Sequence, residues 1–227
     1  MDELKLKYRA MWDQAEDAVR SGTYQPDPAP QHGEPRWGLS LVALVDGEVR
    51  DKIEDDLARL VPQVGAQHFV YSPQDLHMTV RSLEGYQDAI PPAQVDFYRD
   101  QVAQLLRTSE PLEVEFEGLC ASRGGVLVCG YPSASLSLLR SRLHELGEQN
   151  GPRAVASNDY QRSRDTAHIS LAVFQAPAEP EPDLADFVAA RRERFYGVIK
   201  TSTLALVSYE RVAVGYNMHR VALVEAA

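Results

Sequence analysis

Cysteine and long apolar runs are scarce in this chain, and each scarcity argues against a class of protein. Only two of the 227 residues are cysteines, Cys120 and Cys129, and both lie in apolar, strand-like stretches. This context favours reduced core thiols over a disulfide or metal pair. The apolar stretch 39–45 is far shorter than the roughly 20 residues that cross a bilayer, and the first residues lack the pattern of a signal peptide. We therefore expect a cytoplasmic protein that does not enter a membrane.

Positive charge is also in short supply. The chain has 23 Lys and Arg against 33 Asp and Glu, a formal net charge of −10. Tight binding to long nucleic acid needs many cations that neutralise phosphates, so this balance disfavours it. A small nucleotide in a locally basic pocket is compatible with it. The sequence also contains no His-Glu-x-x-His, no Gly-x-Ser-x-Gly and no Gly-x-x-x-x-Gly-Lys, and so lacks the signatures of several common hydrolases.

The first 36 residues differ in pattern from the rest. Residues 2–20 place an apolar side chain at every third or fourth position, which predicts an amphipathic helix. Residues 21–35 are rich in Gly, Pro and polar residues and predict a linker or surface arm. We expect residues 1–36 to be an appendage of the main fold.

From residue 37 onward the apolar spacing predicts strands and helices in an α+β arrangement. The order strand, helix, strand, strand, helix occurs in residues 37–110, and a similar order follows in residues 111–227. The segment Ser122–Gly125 has the composition of a hairpin turn between two strands. No sharp linker separates the halves, so residues 37–227 are expected to form one bilobal domain whose helices lie outside largely antiparallel strands.

Two short segments share one pattern, in which a His, an apolar residue and a small hydroxyl residue follow one another in an apolar run. One is residues 76–80, LHMTV, and the other is residues 167–171, AHISL. Because side chains alternate faces along a strand, His77 and Thr79 share a face, as do His168 and Ser170. Two such strands could frame one polar cleft, in which one imidazole acts as an acid and the other as a base.

Two other interpretations of these histidines stay open. They could be unrelated strand residues whose hydrogen bonds are satisfied in the core. They could also bind zinc, since Asp75 precedes His77 by two residues and nominally shares its face.

Paired His-x-Thr/Ser motifs on strands of two similar halves resemble the 2H phosphoesterase superfamily. This superfamily includes RNA 2′,3′-cyclic phosphodiesterases, once called 2′-5′ RNA ligases. The resemblance covers about residues 37–225. It implies two antiparallel sheets that form a concave cleft with helices outside, a pseudo-two-fold repeat, and chemistry that needs no metal or cofactor. It also implies catalytic roles for the matching residues, His77, Thr79, His168 and Ser170.

The chemistry of a 2′,3′-cyclic phosphate suits this set of groups. Water attacks phosphorus in line with the departing sugar oxygen, so a base and an acid must stand on opposite sides of the phosphorus. Imidazole titrates close to working pH and can take either role. The hydroxyls of Thr79 and Ser170 could donate to the non-bridging oxygens, where negative charge gathers. By resemblance, the product would carry a 2′-phosphate.

Further residues are candidates for binding the substrate. On an ideal strand Arg81 shares the face of Thr79, where a guanidinium could pair with phosphate. Thr166 falls on the face of His168 and could extend the polar wall. The remaining candidates lie on the loop before the second motif or carry rings that could stack on a base: Arg162, Arg164, Tyr160, Trp37 and Tyr209.

The predicted function is metal-independent hydrolysis of a 2′,3′-cyclic phosphate or a 2′-5′-linked nucleotide or RNA end. Two alternatives remain. The substrate could be a cyclic oligonucleotide or an ADP-ribose cyclic phosphate, or the protein could be a nucleotide- or RNA-binding module with little turnover. A pure binder has no need for both imidazoles, which favours an enzyme.

Overall fold

The computed structural model describes residues 2–27, 30–34, 36–150, 166–176 and 179–225. The helices in these ranges are α1 (Asp2–Ser21), α2 (Gly47–Val64), α3 (Pro92–Leu106), α4 (Ala134–Asn150) and α5 (Pro182–Ala189). The strands are β1 (Ser40–Leu44), β2 (Phe69–Val70), β3 (His77–Ser82), β4 (Leu112–Ser122), β5 (Gly125–Pro132), β6 (Ala167–Val173), β7 (Phe195–Thr201), β8 (Leu204–Arg211) and β9 (Tyr216–Val224). Over the described ranges, none of the helices has both the length and the apolar character that a bilayer crossing requires.

All described strand pairs are antiparallel, which confirms the predicted α+β class. The strand order is β7-β4-β5-β6-β3-β1-β8-β9, and β2 also pairs with β6. The two expected sheets are continuous with each other, because β3 and β6 are neighbours. Their link is narrow, since it consists of the single residue pair Met78 and Ile169.

The two halves of the chain exchange strands. Strand β8 comes from the end of the chain but pairs with β1, and β9 follows it at the sheet edge, while β2 comes from the first half but pairs with β6. The sequence boundary near residue 110 therefore divides the chain but not the sheet. Element order alone cannot reveal this, since it does not specify which edge of a sheet a strand joins.

At β1 and β3 one face of the sheet carries the main core, whereas at the β4–β5 hairpin residues on both faces belong to it. Each of the helices in the described ranges buries apolar side chains in this core; in α2 the stripe Val49, Ile53, Leu57 and Leu60 is the one that the spacing predicts. The opposite face of the β1–β8–β9 region carries a second, small apolar cluster of Val42, Ala205, Val207, Tyr209 and Tyr216. Of this second cluster, Tyr209 lines the polar cleft described below.

The expectation that the N-terminal helix is an appendage is wrong. Helix α1 packs against β4 and α5, and its stripe of Tyr8, Trp12, Ala15 and Val19 is buried in the main core. The Tyr8 phenol also donates to the backbone carbonyl of Ala167, at the start of β6. An apolar stripe of this kind needs a partner surface, and here the sheet provides it.

The polar segment after α1 is also built into the fold, and we call its described residues, 22–27, 30–34 and 36, the arm. The backbone N–H groups of Gln25 and Asp27 donate to carbonyls of Arg123 and Phe174. Further along, the N–H of Gly33 donates to the carbonyl of Tyr86. The arm therefore runs from the β4–β5 hairpin to the segment after β3, and ends beside β1.

Candidate active site

Strands β3 and β6 place the two His motifs side by side. At the one residue pair that joins these strands, the side chains of Met78 and Ile169 both point into the main core. Counting one residue each way along the antiparallel strands sets the His of each motif opposite the hydroxyl residue of the other. The pseudo-two-fold relation that the motifs suggest is thus present in the register of the sheet.

The four motif side chains line one cleft, with a volume of about 120 Å³. His77 is buried, and Thr79, His168 and Ser170 are half-buried. The other described residues that line this cleft come from the arm and from the surrounding strands and turns: Arg36, Trp37, Ser40, Tyr71, Ser82 and Tyr209. The spatial juxtaposition that the sequence predicts for His77 and His168 is therefore present in the structure.

A β-bulge in β3 changes which of its residues face the cleft. Thr79 pairs with Val42, but Arg81 pairs with Leu41, so Val80 is an extra residue on β3. Since Leu41 and Val42 are consecutive in β1, they point to opposite faces of the sheet. Thr79 and Arg81 consequently point to opposite faces as well.

The prediction that Arg81 shares the cleft face of Thr79 is therefore wrong. Arg81 is directed toward α4, where its guanidinium lies 3.3 Å from Nδ1 of His144. Burial lowers the pKa of this guanidinium. Ser82, which pairs with Ser40, takes the place in the cleft that an unbroken alternation would give to Arg81.

Arg140 of α4 holds the bulge from the core side. Its Nε donates to the carbonyl of Val80 and its Nη2 to the carbonyl of Thr79, each over 3.0 Å. Arg140 is itself buried. A bulge disrupts the ladder locally, and the guanidinium satisfies carbonyls at this point. Arg140 thereby fixes the backbone that presents Thr79 to the cleft.

The surroundings of His77 define which of its ring nitrogens faces the cleft. Nδ1 donates to the backbone carbonyl of Asp75 over 2.7 Å, so in the neutral ring Nε2 is the acceptor. Nε2 lies 3.0 Å from the phenol oxygen of Tyr209, which donates to it. Tyr71 meets the His77 ring edge-on, and burial holds the pKa of Tyr71 well above its usual value. The Asp75 carboxylate accepts a hydrogen bond from the Ser72 hydroxyl.

Several other predicted substrate residues lie elsewhere. Thr166 is half-buried and directly precedes β6, and the cleft wall formed by the described residues does not include it. Tyr160, Arg162 and Arg164 lie outside the described residues.

The arm contributes to the cleft, which the sequence analysis missed. The Arg36 guanidinium forms a two-pronged ion pair with Asp27, and the indole N–H of Trp37 donates to the same carboxylate over 3.2 Å. Burial raises the pKa of the Asp27 carboxyl, and the Arg36 charge acts in the opposite direction. The only sequence signal for this contribution is that Arg36 and Trp37 lie within four residues of the start of β1.

Trp37 and Tyr209, proposed from the sequence as stacking residues, both lie at the cleft. The Trp37 ring stacks on Tyr216 with centroids 3.8 Å apart, and it meets Tyr209 edge-on at 5.2 Å. Trp37 also has a φ of 63°, in the left-handed region that few residues other than Gly adopt.

Comparison with known proteins identifies the fold. No protein-family model matches the sequence, and no curated protein matches it. Solved structures do match. The protein TT0787 of Thermus thermophilus is 19% identical with a TM-score of 0.62, over 82% of this chain and 96% of that one.

Two further solved structures are similar over most of their lengths. A phosphoesterase is 15% identical with a TM-score of 0.54, over 86% of this chain and 97% of that one. Apo LigT of E. coli is 15% identical with a TM-score of 0.52, over 86% and 97%. LigT has also been solved with 3′-AMP and with phosphate. The predicted 2H phosphoesterase-like fold is therefore confirmed.

Proposed function

We propose that this protein is a phosphodiesterase of the 2H type, which hydrolyses a 2′,3′-cyclic phosphate or a 2′-5′-linked nucleotide or RNA end without a metal ion. The observation that carries the proposal is the pairing of Met78 with Ile169, which sets each motif's His opposite the other's hydroxyl residue in one cleft. The fold shared with LigT and with a phosphoesterase supports it, as does the binding of 3′-AMP and phosphate by LigT.

In the proposed reaction on a cyclic phosphate, the water oxygen forms a bond to phosphorus while the bond from phosphorus to the 3′ oxygen breaks. The neutral imidazole takes the proton of the water, and the protonated imidazole gives a proton to the departing 3′ oxygen. The product then carries a 2′-phosphate. The protonation states of His77 and His168 are exchanged in one turnover, and exchange with solvent restores them.

The hydroxyl groups stabilise the negative charge that develops on the non-bridging oxygens of the phosphate. Thr79 and Ser170 are placed to donate to the two non-bridging oxygens, one from each strand. Ser82 adds another hydroxyl to the same cleft, which Ser40 also lines, although the Ser40 hydroxyl donates to the carbonyl of Gly38. Donors that are held in place before the reaction need no reorganisation when charge develops, which is the main source of their catalytic effect.

Turnover with identified products tests this proposal. The full chain is incubated with adenosine 2′,3′-cyclic phosphate and with 2′-5′-linked ApA, in the presence and absence of EDTA, and products are identified by ³¹P NMR. We expect a 2′-monophosphate from the cyclic substrate at a rate that EDTA does not change. A rate abolished by EDTA and restored by zinc would contradict the acid–base mechanism.

The same assay separates the alternative functions. Cyclic oligonucleotides and ADP-ribose 1″,2″-cyclic phosphate are added as further substrates. If one of these is hydrolysed and the 2′,3′-cyclic and 2′-5′ substrates are not, the substrate class proposed here is wrong. If nucleotides bind and none is hydrolysed, the protein is a binding module.

A further inference from the structure

The arm brings a positive charge into a cleft on an acidic protein. Among the described residues that line the cleft, Arg36 alone carries a permanent positive charge. Its side chain is 60% exposed, so a ligand in the cleft can reach it. The chain as a whole has a net charge of −10, which repels anionic substrates unless a local cation offsets it.

The orientation of Arg36 is fixed by a buried partner. The Asp27 side chain is only 2% exposed and accepts from both terminal nitrogens of the guanidinium. A guanidinium has five N–H groups, and this pairing uses two of them. The remaining three are in a fixed plane from which they can donate to a phosphate, the anion that suits this geometry.

The backbone at this point is also held in an unusual conformation. Trp37, next to Arg36, has a φ of 63°, and its ring is fixed by Asp27 on one side and by Tyr216 on the other. Such a conformation is unfavourable for a residue other than Gly and persists only where its surroundings impose it, most often at a functional site.

We infer that Asp27, Arg36 and Trp37 form a subsite for a second phosphate of the substrate, next to the phosphate that is hydrolysed. The inference rests on the function proposed above, which places the reacting phosphate between His77 and His168. Arg36 lies over the ring of Trp37, which meets Tyr209 edge-on, and the Tyr209 phenol in turn reaches His77. Along this path two rings separate Arg36 from the reacting phosphate. The substrate is accordingly a cyclic phosphate end that carries a further phosphate, either a 5′-phosphate or the bridging phosphate of an oligonucleotide.

The test compares substrates that differ only in the second phosphate. The value of kcat/KM is measured for adenosine 2′,3′-cyclic phosphate with a 5′-hydroxyl, for the same compound with a 5′-phosphate, and for ApA ending in a 2′,3′-cyclic phosphate. The proteins are the full chain, Arg36→Gln and Arg99→Gln. Arg99 is a matched control, because it also pairs with carboxylates, Asp96 and Asp100, but lies exposed on α3.

For the wild-type protein we expect kcat/KM to be about 10- to 100-fold higher for substrates with the second phosphate. This is the magnitude that charge-assisted hydrogen bonds to the phosphate would contribute. Arg36→Gln removes this preference, because it lowers kcat/KM more for the substrates with the second phosphate than for the 5′-hydroxyl compound. Arg99→Gln changes neither value. If kcat/KM in Arg36→Gln falls more for ApA, the subsite binds the bridging phosphate. If it falls more for the 5′-phosphorylated compound, the subsite binds the 5′-phosphate.

Two outcomes overturn the subsite while the proposed function stands. In one, Arg36→Gln lowers kcat/KM equally for substrates with and without the second phosphate. In the other, the preference survives the substitution or is absent from the wild-type protein.

Binding separates failure of the subsite from failure of the proposed function. If the wild-type protein turns over none of the substrates, the function is wrong, and calorimetry with adenosine 5′-monophosphate and adenosine then judges the subsite. The subsite predicts tighter binding of the monophosphate, and a loss of that difference in both Arg36→Gln and Asp27→Asn. Equal affinities for the two compounds in the wild-type protein would overturn it.

Discussion

The phenol of Tyr209 donates to Nε2 of His77 across 3.0 Å, while Nδ1 of the same ring donates to the carbonyl of Asp75. In the proposed mechanism, the nitrogen that exchanges a proton with the substrate is thus already hydrogen-bonded. Tyr209 comes from β8, near the end of the chain, and is buried. The reaction therefore requires that the phenol either move aside or pass the proton on.

Replacing Tyr209 with Phe should displace one limb of the pH–rate profile. The phenol stabilises the neutral ring of His77, so its loss makes protonation of His77 easier and moves the limb that reports on His77 to higher pH. Movement of the lower limb identifies His77 as the base, and movement of the upper limb identifies it as the acid. An unchanged profile would contradict the hydrogen bond as a determinant of protonation.

Replacing Arg140 with Met should impair both stability and activity. The substitution leaves the carbonyls of Thr79 and Val80 without their buried donors, which costs about 1–3 kcal/mol in the free energy of unfolding. Because the bulge then loses its support, we expect kcat/KM to fall at least about 10-fold. Urea unfolding and kinetics measure the two effects.

Arg142→Met is the matched control for Arg140. Arg142 lies on the same helix but is exposed and donates to Thr108. Equal effects of the two substitutions would show that Arg140 does not hold the bulge.

Truncating Trp12 should show that α1 belongs to the fold. Trp12 is buried in the main core, so Trp12→Ala should lower the free energy of unfolding by about 3–5 kcal/mol. Leu6 lies on the same helix and is exposed, and Leu6→Ala should change it by less than about 0.5 kcal/mol. Similar, small effects of both substitutions in urea unfolding would mean that α1 is an appendage after all.

Acid should loosen the contact between the arm and the sheet at His68. The backbone N–H of Gln175 donates to Nδ1 of His68, so Nε2 carries the proton and donates to the Tyr24 phenol. Burial lowers the pKa of His68 below its usual value of 6.5, although Glu179 acts in the opposite direction. The folded state then binds fewer protons than the unfolded state just below pH 6.5.

The contribution of His68 to stability is therefore complete above its unfolded pKa and is lost as the pH falls toward its folded value. We expect the free energy of unfolding to drop between about pH 7.5 and about pH 5, and to drop less in His68→Asn. His219→Asn, at an exposed His, is the control. An equal drop in the wild-type protein and in His68→Asn would contradict this assignment.

The sequence predicts local structure and the central pair of motifs well, because both depend on alternation along single strands. The hairpin at Ser122 and Gly125 and the buried stripe of α2 are where the pattern places them. The convergence of His77 and His168 also follows, since each motif has an apolar face that must be buried and a polar face that must not.

The wrong predictions concern features of the structure that are determined by contacts between residues far apart in the sequence. One extra residue at Val80 reverses the faces of all later positions in β3, and nothing in the local sequence marks it, so strict alternation misplaces Arg81. The polar composition of the arm predicts a solvent-exposed linker. Its backbone donors in fact find carbonyls on three distant segments, and it brings Arg36 and the following Trp37 to the cleft.

The central claim is that the imidazoles of His77 and His168 act together on one phosphate. Its most direct test is to measure kcat/KM for adenosine 2′,3′-cyclic phosphate in His77→Ala, His168→Ala and the double variant, with His219→Ala as control. Each single substitution should reduce it by about 100- to 10,000-fold. Because the two rings act in one step, the double variant should be little worse than the poorer single variant. Near-wild-type activity in either single variant, or losses that multiply fully in the double variant, would contradict the account.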